Sequence, residues 1–226
     1  MHDVVEKLLL IKAKIKELLL NNKTSNIHPS VIVVCKTFPM NNIIPLIDKG
    51  HIHFGENKVQ EAELKWKDVK NNNSKIKLHM IGKLQSNKVK TALKIFDYIH
   101  SVDSYKLAEK IARYSKEQGK NIEIFVQVNI GMEPQKGGIN PKDVIEFISR
   151  CKKNLSLKII GLMGIPPANE DVEKYFKQLN QLKEQIGLEH LSMGMSNDYE
   201  TAINCGSTFL RIGSKILGER NKITQS

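Results

Sequence analysis

Lys36 follows five apolar residues, Val31 to Cys35, a pattern that predicts a buried strand delivering one amine to its carboxyl end. Burial removes hydration from an ammonium group, so the pKa of such a lysine falls from about 10.4 and the neutral amine becomes accessible. A neutral amine can form a Schiff base with a carbonyl compound. A strand-end lysine can also simply extend its charge into solvent, so Lys36 needs partners before it is assigned chemistry.

Two glycine-containing segments have the residue types of a phosphate site. They are Ser192-Met193-Gly194-Met195-Ser196 and Arg211-Ile212-Gly213-Ser214, and each precedes a short helical stretch. The free N–H groups at the start of such helices attract phosphate, and the hydroxyls of Ser196 and of Ser192 or Thr208 could supplement them. Glycines of this kind also occur where the chain only makes a tight turn.

A deprotonatable lysine and a phosphate cradle on opposite sides of one site favour pyridoxal 5'-phosphate (PLP), whose aldehyde and phosphate they would hold. Arg211 would then lie near the pyridine nitrogen. An arginine does not give up its proton, so the ring nitrogen would stay unprotonated and the ring would be a poor electron sink. An ion pair of Arg211 with Asp198 or Glu219 is the alternative.

The elements that must position these residues are eight short apolar segments with helical patterns between them. Because no hairpin turns separate them, they indicate a parallel α/β sheet closed as a (β/α)₈ TIM barrel, with a doubly wound open sheet as the alternative. The segments are 31–36, 51–55, 76–82, 98–102, 122–129, 158–163, 190–194 and 209–213. Residues 3–20 have helical apolar spacing and predict an extra N-terminal helix.

In a barrel the carboxyl ends of all strands share one mouth. Lys36, Asn57, His79, Met163, Ser192, Ser196, Arg211 and Gly213 all lie at or just after predicted strand ends. We expect one domain over residues 1–226, with residues 1–30 forming a helix and linker packed on it.

Composition excludes several classes. The formal charge is +11, but only Arg113, Arg150, Arg211 and Arg220 are arginine, the residue favoured for phosphate and base forks, and the lysines are scattered. Cys35, Cys151 and Cys205 lack disulfide or zinc spacing, and His51 with His53 has no third metal ligand nearby. We expect a cytoplasmic protein with no metal, no nucleic-acid partner and no membrane segment.

Several motifs in the right order resemble the pyridoxal phosphate homeostasis proteins, a family similar in fold to the barrel of alanine racemase. The motifs are Val34 to Thr37, Phe54 to Glu61, His79 to Lys88, Gly161 to Met163, Ser192 to Ser196, Thr208 to Gly213 and Gly218 to Arg220. The resemblance implies that Lys36 binds PLP and that Arg211 faces the pyridine nitrogen. It also implies that Asn57, His79 and Met163 line the ring pocket, while Ser196, Thr208 and Gly213 hold the phosphate.

The resemblance favours a non-catalytic monomer that holds PLP for buffering or for delivery to PLP-dependent apoenzymes. The alternative is a PLP-dependent amino-acid racemase, which needs a second acid–base group on the opposite face of the substrate. Alanine racemases take this group from a separate domain, and we expect no residues here to build that domain. Neither Tyr98 nor Tyr199 matches the position of the second acid–base group. Lys136-Gly137 is either a second anion contact or a loop.

Overall fold

Eight parallel strands form a closed barrel in this computed structural model, which describes residues 2–21 and 28–219. Part of the predicted linker (residues 22–27) and Arg220 lie outside the described residues. The strands are β1 Ser30–Val34, β2 His53–Glu56, β3 Lys77–Met80, β4 Tyr98–Val102, β5 Glu123–Val128, β6 Lys158–Gly164, β7 His190–Ser192 and β8 Phe209–Ile212. Because β1 pairs with both β2 and β8, the barrel prediction is confirmed and the open sheet is excluded.

Helices surround the barrel within the described part of the chain. They are α1 Asp3–Asn21, α2 Ile44–Asp48, α3 Val59–Asn72, α4 Val89–Ile95, α5 Tyr105–Gln118, α6 Val144–Leu155, α7 Val172–Ile186, α8 Tyr199–Asn204 and α9 Ser214–Leu217. None of these helices is both long and apolar enough to cross a membrane. The predicted N-terminal helix is α1, which buries Val5, Leu8, Ile11 and Ile15 and packs beside helices α2, α8 and α9.

Local signals fix where the helices begin and end. The Ser104 side chain accepts a hydrogen bond from the Leu107 N–H and caps α5, and Asp171 caps α7 through the Glu173 N–H. Gly119 ends α5 in the left-handed conformation (φ 60°), which costs glycine little. The sequence between these signals is amphipathic, so each helix lays its apolar face on the barrel.

Side chains alternate between the inside of the barrel and the helix layer, as the two-residue period of a strand requires. On β8, Leu210 and Ile212 join the core beneath the helices, whereas Phe209 joins a separate cluster with Ile32, Phe125 and Met163. This second cluster fills the barrel, so the interior is packed rather than open. Arg211 lies on the same face of β8 as Phe209 and is buried.

Candidate functional site

A cavity of about 760 Å³ opens at the carboxyl ends of the strands. It brings together five of the residues predicted from sequence: Lys36, Asn57, Ser196, Arg211 and Gly213. The prediction that lysine and phosphate cradle lie on opposite sides needs correction. Because β1 pairs directly with β8, Lys36 and the loop after β8 are neighbours around the barrel.

The turn that carries Lys36 is held by α3. Thr37 has φ 69°, an uncommon conformation for a β-branched residue, and its N–H donates to Glu61 Oε1 at 3.1 Å. On the other side of Lys36, the Lys65 ammonium donates to the Cys35 carbonyl at 2.9 Å. Lys36 itself is half-buried, and these two contacts hold the backbone on either side of it.

Behind that turn lies a buried ion pair that the sequence analysis missed. The Glu56 carboxylate is fully buried and accepts hydrogen bonds from Lys65 Nζ at 2.7 Å and Trp66 Nε1 at 2.9 Å. Burial outweighs these bonds and raises the pKa of Glu56. No local spacing signals this pair, because Glu56 lies in β2 and Lys65 in α3.

Arg211 is fixed by neutral groups and not by an ion pair. Its Nη1 donates to the Ser192 carbonyl at 2.5 Å and to Ser192 Oγ at 2.7 Å, and Nη2 donates to the Gly164 carbonyl at 3.0 Å. Burial lowers the pKa of Arg211 to about 10, which leaves the guanidinium charged at neutral pH. The alternative of a carboxylate partner is therefore wrong for the described residues, because no described carboxylate pairs with Arg211.

The loops after β7 and β8, which the sequence predicts as an anion cradle, meet at the mouth. Ser196 Oγ accepts from the Lys215 N–H at 3.4 Å, which joins the two loops and leaves its hydroxyl hydrogen for another acceptor. A Cβ at Gly213 would lie 3.3 Å from Val34 Cβ, so a side chain there would press on the end of β1. Glycine at this position therefore lets the loop after β8 lie close to the end of β1.

Asn57 supplies a second indication that the cavity takes a polar ligand. Its Oδ1 is buried and has no hydrogen-bond partner among the described residues, although Asn57 lines the cavity. An unpaired buried acceptor is costly, and a ligand donor would satisfy it. A lysine amine, an arginine guanidinium, hydroxyl and backbone donors and this acceptor together fit an aromatic phosphate with polar ring substituents.

Three predicted residues lie beneath the cavity and not on its wall. His79 and Ser192 are fully buried and hydrogen-bonded to other side chains inside the barrel, while Met163 packs in the interior apolar cluster. The alternation of side chains along each strand correctly predicts that these three side chains point into the barrel. Their depth, one layer below the mouth, makes them supports for the site and not its lining.

Thr208 is not at the mouth. It precedes the first residue of β8, and its hydroxyl is bonded to the Leu191 N–H and carbonyl at 2.9 and 3.1 Å. It lines a small depression with His28 and Glu189 at the base of the barrel. The prediction that Thr208 holds phosphate is therefore wrong, because a whole strand separates it from Gly213.

The chain belongs to the class of barrels described as the alanine racemase N-terminal domain, whose family model matches residues 19–221. Clostridium difficile alanine racemase shares that fold alone, with a TM-score of 0.69 and 15% identity over 99% of this chain and 58% of the racemase chain.

Within that class, the chain belongs to the pyridoxal phosphate homeostasis protein family. The relative from Aquifex aeolicus is 37% identical over 82% of this chain and 84% of its own length, and the one from Escherichia coli K12 is 30% identical over 98% of both. PipY of Synechococcus elongatus PCC7942, solved with PLP bound, is 34% identical with a TM-score of 0.77 over 90% of this chain and 100% of PipY.

Proposed function

We propose that this chain binds PLP at the barrel mouth and acts in vitamin B6 homeostasis. The observation that carries the proposal is the single cavity shared by Lys36, the fixed guanidinium of Arg211 and the anion cradle after β7 and β8. PipY, solved with PLP bound, and the named homeostasis relatives support it.

Each residue has a distinct task in this proposal. The neutral Lys36 amine condenses with an aldehyde, so that a C=N bond forms and one water leaves. This bond anchors the ligand. Arg211 faces the pyridine nitrogen and cannot give it a proton, while Ser196 and the backbone at Gly213 hold the phosphate. When bound, the cofactor supplies a reactive aldehyde and an electron-withdrawing ring.

Absorption spectroscopy tests the proposal directly. Titration of the purified chain with PLP should produce a visible band that saturates with one ligand per chain. Hydroxylamine should remove the band, because it competes for the aldehyde. A purified chain that shows neither band nor saturable binding would contradict the proposal.

Ser196→Ala should weaken PLP retention by roughly 10- to 100-fold, the effect of losing one hydrogen bond of about 1.5–3 kcal/mol to a charged group. Thr208→Val is the matched control, since it removes a hydroxyl at the opposite end of the barrel and should leave PLP affinity unchanged. Equilibrium dialysis gives both dissociation constants. If Thr208→Val weakens binding more than Ser196→Ala, the cradle has been placed at the wrong end.

We also propose that the chain does not racemise amino acids. Among the described residues, no tyrosine lines the mouth cavity; Tyr98 lies inside the barrel, stacked on His79 with ring centroids 4.2 Å apart, and burial raises its pKa. The described mouth therefore offers no tyrosine as the second proton-transfer group. The cytoplasmic location, the monomeric state and the delivery of PLP to apoenzymes belong to the same proposal.

Incubation with either enantiomer of alanine in deuterated water should give negligible deuterium at the α-carbon compared with a true alanine racemase. Mass spectrometry of the recovered alanine measures this. Exchange that scales with protein concentration and disappears in Lys36→Ala would restore the racemase interpretation.

A further inference from the structure

A chain of hydrogen bonds runs through the barrel from its base to Arg211. His53 Nδ1 lies 3.0 Å from His79 Nε2, and His79 Nδ1 lies 2.9 Å from His100 Nε2. His100 Nδ1 lies 2.8 Å from Ser192 Oγ, which lies 2.7 Å from Arg211 Nη1. We call these five residues the interior chain.

The inner histidines of the interior chain are buried and neutral. His79, His100 and Ser192 are fully buried. Burial holds the pKa values of His79 and His100 well below the ordinary histidine range. The neighbouring His100 lowers the pKa of His79 further, and Arg211 does the same to His100. A neutral imidazole carries one N–H and one acceptor nitrogen. Each contact between two ring nitrogens therefore needs one protonated and one bare nitrogen, so the tautomer of one ring dictates that of the next.

Arg211 sets the direction of the whole chain. A guanidinium only donates hydrogen bonds, so Ser192 Oγ accepts from it. Within the described residues the hydroxyl hydrogen of Ser192 then has one available acceptor, His100 Nδ1. The reverse direction would bury that hydrogen without a partner, which is unfavourable in the barrel interior.

We propose that His100 and Ser192 are positioning residues for Arg211, and that His53, His79 and His100 all adopt the tautomer with the proton on Nε2. Every N–H of the histidines then points away from Arg211, and every acceptor points towards it. The Ser192 oxygen and two carbonyls orient the guanidinium, and its remaining N–H groups can face the cavity. The effect on PLP rests on the proposed function, whereas the tautomers do not.

Nitrogen-15 NMR of the histidine rings in the ligand-free chain tests the tautomers without any cofactor. The signals are assigned by replacing one histidine at a time. We expect neutral rings with the proton on Nε2 at His53, His79 and His100. A proton on Nδ1 at any of the three, or a tautomer mixture at His79 or His100, would overturn the proposal, whether or not the chain binds PLP.

Two substitutions of His100 separate positioning from packing. The amide oxygen of asparagine can take the place of Nδ1 and keep an acceptor for Ser192, whereas glutamine reaches the Nε2 side and leaves Ser192 unmatched. His100→Asn should retain PLP affinity within about 3-fold, and His100→Gln should lose about 10-fold, the loss expected for one hydrogen bond. Equal losses in the two variants, or no loss in either while the wild type binds PLP, would contradict the positioning role.

Ser192→Ala provides a separate check if neither His100 variant folds. It removes the only described link between His100 and Arg211, so the tautomer of His100 should become mixed in the NMR spectrum. An unchanged Nε2–H signal at His100 would show that Arg211 does not set the direction of the chain.

Discussion

Lys36→Ala is expected to abolish the covalent adduct that borohydride traps on the wild-type chain with PLP. The cavity at the mouth holds one other lysine among its lining residues, Lys136, whose ammonium donates to the Pro166 carbonyl at 3.1 Å and pairs with Glu133. An amine engaged in this way is a poor nucleophile. Some non-covalent binding should persist, because the phosphate contacts do not involve Lys36.

Lys136→Ala is the matched control for this experiment. It removes a lysine from the same cavity and should leave the trapped adduct intact, which peptide mass spectrometry can locate on Lys36. An adduct on another lysine of the wild type, or an undiminished adduct in Lys36→Ala, would show that β1 does not carry the anchoring amine.

The barrel itself could be predicted from sequence, because each buried parallel strand is a short apolar run. Val31 to Cys35 illustrates this, since a strand covered on both faces needs apolar residues at successive positions. Helix ends also have local signals, such as the cap at Ser104 and the left-handed glycine at Gly119. These features depend on nearest neighbours along the chain.

Depth in the barrel could not be predicted, since it depends on strand stagger. Thr208 is the exception, because it directly precedes the predicted segment 209–213, and this position alone indicates the base of the barrel. His79 was placed on the correct face of β3 but one layer too high. The stagger between strands is a property of the closed barrel, and no single segment encodes it.

The interior chain was also beyond the sequence analysis. Its members come from β2, β3, β4, β7 and β8, and each histidine alone is compatible with an ordinary core position. Only the order of strands around the barrel brings them into contact. Polar groups that satisfy one another across several strands are invisible to local patterns, whereas they strongly constrain the folded interior.

Lys65→Met is expected to destabilise the chain by about 3–5 kcal/mol, the effect of leaving a buried charge without its partner. The Glu56 carboxylate is fully buried and loses its ammonium partner in this variant, and the Cys35 carbonyl beside Lys36 loses a donor. Lys67→Met is the matched control, because Lys67 is exposed on the same helix. Urea unfolding at neutral pH measures both free energies.

The destabilisation in Lys65→Met should depend on pH in a defined direction. Burial already raises the pKa of Glu56, and Lys65 is the first of the groups that oppose this rise. Without Lys65, the folded-state pKa lies still further above the unfolded value of about 4.3. The folded state then favours the protonated carboxyl, so stability is greatest below the unfolded pKa and falls as pH rises through the folded pKa. Adding Glu56→Gln should flatten this dependence and recover part of the stability at pH 8, whereas a pH-independent loss in Lys65→Met would show that Glu56 is not the group left uncompensated.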